Sequence, residues 1–288
     1  IMARSREAVV MENHWTHSWT YPGLGALMSG TNPISWGTAS WDRGEKGQES
    51  PMLDPSVDLL AAELSEQGWA TAYWTSSYVA STETGLERGY QQFEIVGRNI
   101  ESAELAAEIA TWSDANPDLP QLIHAHFTDA HAEYSGRHSS CEDEVRALDA
   151  SKCPYKFGTD SNAANAVSED LKSGAYSEAD STFPSCYAIL LATYGCSVRQ
   201  QDADIEELWT DLSERGLLDD ALVVLTTDHG EGLLDPFASH SDDLRSTVSR
   251  SWAMFWQPAL LTPAVISAPT EAQDIIPSIM EITDRTVD

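Results

Sequence analysis

The sequence predicts an α/β fold in which a mostly parallel central sheet is covered by helices on both faces. Stretches with helical spacing of apolar residues alternate with short apolar runs along the chain, and this alternation is typical of parallel sheets covered by helices. The 288 residues are 42% hydrophobic, which is enough to bury a substantial core. We therefore expect residues 1–288 to form one domain.

Five segments are predicted as helices because their apolar residues recur at helical spacing and a glycine or proline marks an end. They cover residues 23–29, 53–67, 100–113, 185–215 and 273–282. Pro22 fits the first turn of the first helix and Gly30 stops it, which leaves Thr20 just outside the helix.

Four short apolar runs are predicted as strands, at residues 69–74, 121–127, 252–256 and from Val223 onward. Residues 132–184 lose this periodicity and are rich in Ser, Asp, Lys and Gly. We predict that they form a loop-rich insertion, and long loops in compact domains are usually functional or poorly ordered.

The charge of the chain excludes two classes of partner. With 46 acidic and 16 basic residues, the formal net charge is −30. The acids are dispersed, so we expect an acidic hydrated surface that repels nucleic acid and anionic membranes, as in proteins from high-salt environments. No apolar run is long enough to span a membrane, and no targeting segment is present in the sequence.

The four cysteines are Cys141, Cys153, Cys186 and Cys196, and their spacing fits no zinc motif. Two interpretations stay open. Four free thiols are slightly favoured, and a disulfide between Cys141 and Cys153 is the alternative if the protein is exported.

Polar groups follow the predicted strands and helices at four places. Asp228 and His229 end the Val223 strand, His131 follows the 121–127 strand, His240 lies in a later loop, and Thr20 precedes a helix. In open α/β sheets, ligands bind where strands reach their carboxyl ends. Asp228 and His229 together can bind a divalent metal. Taken alone, this pair could equally be an ordinary strand end with no function.

Four other histidines receive simpler interpretations. His14 and His17 precede the first helix and are expected to lie at the surface or in packing contacts, with a position lining the pocket as the alternative. His124 and His126 alternate along one strand, so both point to the same side and are expected to pack there.

In order and spacing, most of the chain resembles the sulfatase branch of the alkaline phosphatase superfamily. The resembling residues and stretches are 18–22, 28–30, Pro33, Gly37, 59–74, 85–90, Phe93, 126–131, Tyr134, Tyr194, Asp202, 208–231 and 273–282. The stretch 18–22 is similar to the start of the helix that carries the family's nucleophile. The stretch 126–134 is similar to its D-x-H element, and 228–231 to its S-D-H-G-E element.

The resemblance implies a role for each matching residue. Thr20 stands at the nucleophile position, with Ser18 as a rival, and Asp228, His229 and Thr20 would hold a divalent metal. His131 and His240 would contact the ester oxygens or assist the leaving group. Because Thr replaces the Cys or Ser that sulfatases convert to formylglycine, attack by a metal-activated threonine alkoxide is expected instead. Calcium is the first metal implied, with manganese and zinc as alternatives.

Two departures from the family pattern limit this expectation. Leu24 replaces an arginine that contacts the ester, and no aspartate precedes Asp42, although the family's first strand carries metal-binding aspartates. We therefore expect a fragment that lacks that strand, with weak metal binding and little activity by itself. The alternative is a degenerate site.

The function implied is metal-dependent hydrolysis of a sulfate or phosphate ester of a small molecule or glycan. A catalytically degenerate relative with a binding or structural role is the alternative. Export to the periplasm or the cell exterior would follow the habit of the family.

Overall fold

In the computed structural model, two adjoining β-sheets form the centre of the molecule. The structure describes residues 1, 3–36, 53–80, 84–97, 102–131, 134, 147–157, 163–233, 240 and 244–283. The strands are β1 Val9–Trp15, β2 Ala70–Thr75, β3 Gln92–Ile95, β4 Gln121–His126, β5 Val223–Thr226, β6 Arg250–Trp256, β7 Ala264–Ile266 and β8 Thr270–Glu271.

One sheet has the order β5-β6-β1-β7, with β8 also paired to β1, and the other has the order β3-β2-β4. Both neighbours of β2 run parallel to it, as do β7 and β8 relative to β1. Only β6 is antiparallel, to β1 on one side and to β5 on the other. The predicted mostly parallel sheet is confirmed.

Seven α-helices surround the sheets within the described residues. They are α1 Thr20–Ser29, α2 Leu60–Glu66, α3 Ser102–Asp114, α4 Ala163–Ser173, α5 Phe183–Glu214, α6 Ser246–Ser249 and α7 Ile275–Ile282. Within the described ranges, every helix is too short or too polar to cross a membrane.

Helices cover both faces of the sheets, as predicted. On one face, Leu105 of α3 and Leu208 of α5 form a buried cluster with Ala72 and Trp74 of β2. On the opposite face, helix α7 contributes Ile275 to a cluster with β1 and β6. Helices α1 and α2 pack on that side too.

Several element bounds differ from the sequence prediction. Helix α1 includes Thr20, whereas the prediction placed Thr20 outside it; Gly30 does end the helix, with φ 64°. Helix α2 covers only the end of the predicted 53–67 segment. Before it, the Asp54 carboxylate accepts hydrogen bonds from the backbone N–H and hydroxyl of Ser56, a local turn that competes with helix.

Strand β1 was not predicted, because its polar centre, Glu12, Asn13 and His14, does not look like a buried strand. Pairing on both sides, with β6 and with β7 and β8, determines the conformation instead. His14 is fully buried and its Nδ1 lies 2.9 Å from Thr270 Oγ1, so its expected packing role is confirmed.

The predicted insertion contains a helix, α4, and a compact hydrophobic cluster of its own against α5. A disulfide joins Cys153 to Cys186 within this cluster. Cys196 is also disulfide-bonded. Both cysteine predictions are therefore wrong: the described cysteines are not free, and Cys153 pairs with Cys186. Cys141 itself lies outside the described residues.

Candidate functional site

Thr20 is the first residue of helix α1 and is buried. Its Oγ1 lies 3.2 Å from Nε2 of His229, which follows β5. The N-terminus of a helix has a positive electrostatic potential and unpaired N–H groups, so negative charge on this hydroxyl oxygen or on a bound ester is stabilised here.

Helix α1 lies against the backbone of Asp228 because glycine occupies position 23. A Cβ atom on Gly23 would lie only 2.3 Å from the carbonyl oxygen of Asp228. The Thr16 hydroxyl donates a hydrogen bond to the same oxygen at 2.5 Å. These contacts fix the position of α1 relative to the end of β5.

The hydrogen bonds of His229 determine which of its ring nitrogens carries a proton. Nδ1 lies 2.7 Å from the carbonyl oxygen of Gly230, which can only accept. Nδ1 must therefore donate, and in the neutral ring Nε2 keeps its lone pair. That lone pair points toward Thr20, so Nε2 can accept the hydroxyl proton or bind a metal.

The Asp228 carboxylate lies beside two imidazoles. Its Oδ2 is 3.5 Å from His229 Nε2 and 3.9 Å from His126 Nε2. Burial by itself would raise the pKa of Asp228, but attraction to His229, His126 and His240 outweighs it and lowers the pKa below its usual value. Asp228 is thus an anion at neutral pH.

His126 is a site residue that the sequence analysis missed. It is the last residue of β4, and its Nδ1 is 3.0 Å from Thr75 Oγ1 while its other nitrogen faces Asp228. Burial lowers the pKa of His126, an effect that Asp228 opposes and His229 reinforces. The sequence did contain a signal for His126, because a histidine at the carboxyl end of a predicted strand lies where ligands bind in α/β sheets.

His124, two residues earlier, has the packing role that was expected. Its ring stacks on Tyr73 with centroids 4.3 Å apart, and its Nδ1 lies 3.2 Å from the Tyr90 hydroxyl. Burial, with a smaller contribution from His126, lowers the pKa of His124 to about 3.

The structure brings His131 and His240 to the same place. The His240 ring lies 4.1 Å from the His229 ring and 4.8 Å from the His131 ring, measured between centroids. The predicted residues Thr20, His131, Asp228, His229 and His240 therefore form one connected group.

Glu231 orients His240 and was not assigned a role from the sequence. Its carboxylate is buried, and its Oε1 lies 3.2 Å from His240 Nδ1. This contact directs Nδ1 toward the carboxylate and so sets the orientation of the His240 ring. Burial and the adjacent Glu231 raise the pKa of Tyr134, which keeps that hydroxyl protonated as a donor to the carboxylate.

Gly230 allows another close approach. A Cβ atom there would lie 2.3 Å from the carbonyl oxygen of Thr247, and Gly230 N–H donates to the Val248 carbonyl at 2.6 Å. Beside it, a cavity of about 540 Å³ is lined by polar and aromatic side chains, among them Tyr187, Arg250 and Trp252.

The candidate site offers atoms of the types that bind divalent metals, but only three of them are assigned. Asp228, His229 and Thr20 supply a carboxylate oxygen, an imidazole nitrogen and a hydroxyl oxygen. Among the described residues, no three His, Cys, Asp or Glu side chains converge as a metal-binding group. Calcium takes roughly six to eight oxygen ligands, so this set is incomplete for it.

The positions of Leu24 and Glu12 in the structure keep both residues out of the candidate site. Leu24 is buried in the hydrophobic cluster under α1, so nothing at this position contacts an ester. Glu12, the carboxylate of β1, accepts a hydrogen bond from Ser267 at the surface.

The sulfatase family model matches residues 1–285. The chain belongs to the sulfatase family. Its members hydrolyse sulfuric or phosphoric esters and belong to the alkaline phosphatase superfamily. The comparison with curated proteins gave no match.

Solved structures show that the sulfatase fold extends over the whole chain. A protein in complex with its substrate D-glucosamine-2-N,6-O-disulfate has a TM-score of 0.67 at 14% identity, covering 100% of this chain and 72% of that one. Phosphonate monoester hydrolase from Silicibacter pomeroyi has a TM-score of 0.68 at 16% identity, covering 99% and 68%. The C-terminal periplasmic domain of a phosphoethanolamine transferase from Campylobacter jejuni has a TM-score of 0.61 at 14% identity, covering 98% and 80%.

Proposed function

We propose that this sulfatase-family protein hydrolyses a sulfate, phosphate or phosphonate ester with Thr20 as the nucleophile. The observation that carries the proposal is the placement of the Thr20 hydroxyl at a helix N-terminus, 3.2 Å from His229 Nε2, while His229 Nδ1 lies against the Gly230 carbonyl. A nucleophilic hydroxyl needs a group that takes its proton or stabilises its alkoxide, and this position offers both.

A divalent cation would be held by Asp228, His229 and Thr20, with calcium favoured over manganese and zinc. When bound, such an ion would lower the pKa of the Thr20 hydroxyl and neutralise charge on the ester. Because the described donor set is incomplete, we expect residues 1–288 to bind the ion weakly unless further carboxylates are added.

The chain's own residues account for the bond changes in two steps. Thr20 Oγ attacks sulfur or phosphorus, its proton passes to water because His229 Nε2 would hold the cation, and the bond to the alcohol oxygen breaks. His131 or His240 donates a proton to that leaving oxygen. Water then attacks the Thr20 ester, which releases the inorganic oxyanion and restores the hydroxyl.

The organic part of the substrate is expected to be a small molecule or glycan. The cavity beside His229 offers aromatic surface from Tyr187 and Trp252 for apolar contacts, and Arg250 for a negative group. The solved relatives support an anionic ester in general, since one was captured with a disulfated glucosamine and another is a phosphonate monoester hydrolase.

A degenerate relative that only binds its ligand is the second candidate, and buried Leu24 together with the incomplete metal site favours it. The test is a panel of aryl sulfate, phosphate monoester, phosphate diester and phosphonate substrates with added divalent metal. The protein should turn over at least one class. No turnover of any class would favour the degenerate relative.

A further inference from the structure

Tyr134 connects the insertion, residues 132–184, to the candidate site. Its side chain is only 1% exposed and packs in the hydrophobic cluster that the insertion forms against α5. The disulfide between Cys153 and Cys186 lies in the same cluster. We call this group, which also includes buried Leu190, the insertion cluster. Tyr134 is therefore held by packing on the insertion side.

The hydroxyl of Tyr134 points out of the insertion cluster and donates a hydrogen bond to the Glu231 carboxylate. Glu231 is itself buried, and a buried carboxylate needs hydrogen-bond donors to offset the loss of hydration. His240 Nδ1 lies 3.2 Å from Oε1 and 3.3 Å from Oε2, and the Gly232 N–H donates to Oε1 at 3.3 Å. The Tyr134 hydroxyl thus helps to fix the carboxylate that orients His240.

The backbone of Tyr134 makes a second connection to the site. Its N–H donates to the carbonyl oxygen of His131 at 3.3 Å, across a tight turn. The His131 and His240 rings lie 4.8 Å apart, measured between centroids. Tyr134 is therefore linked to both histidines that are proposed to protonate the leaving oxygen, to His131 through its backbone and to His240 through Glu231.

Both sides of the Tyr134–Glu231 hydrogen bond carry a strained backbone. Of the residues that the structure describes, Tyr134 with φ 33° and Leu233 with φ 49° are the non-glycine residues of positive φ. Leu233 follows Glu231 by two positions and packs against the insertion cluster. Such strain persists only where the surrounding contacts over-determine it, and it concentrates at functional sites. Its position here favours a role in holding the site over ordinary core packing.

We infer that Tyr134 is a positioning residue of the candidate site, through which the insertion holds the His240 ring against His229. The inference rests on the proposed function in one respect, the role of His240 at the leaving oxygen. Without the Tyr134 hydroxyl, the buried Glu231 carboxylate lacks a donor and would turn toward water. The His240 ring, whose Nδ1 lies beside both carboxylate oxygens, would then lose its fixed orientation.

Nuclear Overhauser effects between histidine rings test this inference without any substrate. The His229 and His240 rings lie 4.1 Å apart between centroids, so their carbon-bound protons should give a strong effect in the unmodified protein. Tyr134→Phe keeps the aromatic ring in the insertion cluster and removes only the hydroxyl, and the effect should be lost. Tyr155→Phe is the matched control, because the Tyr155 hydroxyl also donates to a carboxylate, that of Asp170, at 2.7 Å. It should leave the effect unchanged.

Glu231→Gln is a second variant that tests the route of the connection. It keeps the size of the side chain but replaces one of the oxygens beside His240 Nδ1 by an amide group that can only donate, so the same effect should be lost. An effect that survives Tyr134→Phe would overturn the inference. So would an effect that is lost in Tyr134→Phe but kept in Glu231→Gln, because the hydroxyl would then act by another route. Loss of the effect in Tyr155→Phe would also overturn it, because it would indicate general loosening of the insertion.

Ester turnover separates this inference from the proposed function. Tyr134→Phe should lower kcat about tenfold or more with little change in KM, since removing the hydrogen-bond partner behind a site residue typically costs this much. An unchanged kcat would contradict the positioning role. If the unmodified protein turns over no substrate class, the proposed function fails, whereas the ring measurements still decide whether Tyr134 positions His240.

Discussion

Thr20 Oγ1 lies 3.2 Å from His229 Nε2, although the two residues are far apart in the sequence. The hydrogen bond from His229 Nδ1 to the Gly230 carbonyl leaves Nε2 as an acceptor. Thr20 is therefore the hydroxyl at this helix N-terminus that faces a group able to take its proton.

Replacing this hydroxyl tests the assignment of the nucleophile. Thr20→Ala should lower kcat for aryl ester hydrolysis by about a thousandfold or more, because the attacking oxygen is removed. Ser18→Ala is the matched control and should change kcat by only a few fold. A large loss in Ser18→Ala together with an active Thr20→Ala variant would make Ser18 the nucleophile.

The close approach of α1 to Asp228 predicts a second effect. Gly23→Ala places a methyl group 2.3 Å from a backbone oxygen, so α1 must shift, and overpacking of this kind costs about 1–3 kcal/mol of unfolding free energy. Gly195→Ala in α5 is the control. Its nearest neighbour would be 3.7 Å away, and removing a helix glycine should stabilise by up to about 1 kcal/mol. Urea unfolding of both variants measures these changes, and equal stabilities of the two variants would contradict the close approach of α1 to Asp228.

Acid should destabilise the protein through His124. Its pKa is about 3 in the folded state and 6.5 in the unfolded chain, so the unfolded state takes up the proton first. The contribution of neutral His124 to the unfolding free energy is complete above pH 6.5. It is lost as the pH falls toward 3, by up to about 1.4 kcal/mol per pH unit.

The variant His124→Phe retains the ring that stacks on Tyr73 and removes the titrating group. Its unfolding free energy should depend less steeply on pH between 6.5 and 3 than that of the unmodified protein, measured by urea unfolding at several pH values. His14 and His126 also have lowered pKa values, so part of the dependence should remain. An unchanged slope would show that His124 does not contribute.

The insertion should depend on its disulfide. Cys153 and Cys186 are separated by 33 positions, and closing a loop of this length stabilises by about 3.7 kcal/mol in the chain-entropy account. Replacing both by Ala should therefore lower the unfolding midpoint. The double variant is preferable to a reducing agent, because Cys196 is also disulfide-bonded. An unchanged midpoint would contradict this contribution.

Sequence reasoning was most successful where a motif follows a strand or precedes a helix. Thr20, Asp228 and His229 meet because the carboxyl ends of β4 and β5 and the start of α1 lie together, and this follows from the parallel fold class. His126 was missed because its contact with Asp228 depends on which strands are neighbours. Strand periodicity contains no such information.

Local pattern also failed where long-range contacts decide the structure. The polar centre of β1 adopts a strand because β6, β7 and β8 pair with it. Cys153 bonds Cys186 because the insertion folds against the start of α5, a contact that spacing does not reveal. The half-buried edges of β4 and β5 likewise appear only once the sheet order is known.

The most direct test of the metal site follows the imidazole NMR signals of residues 1–288 during titration with Mn²⁺, which broadens signals of nearby nuclei. If Asp228 and His229 hold the ion, the signals of His229 and His126 should broaden at the lowest Mn²⁺ concentrations. Asp228→Asn should remove this preference, whereas Asp118→Asn, at an exposed carboxylate, should not. Equal broadening of all eight histidines, or a preference that survives Asp228→Asn, would contradict the site described here.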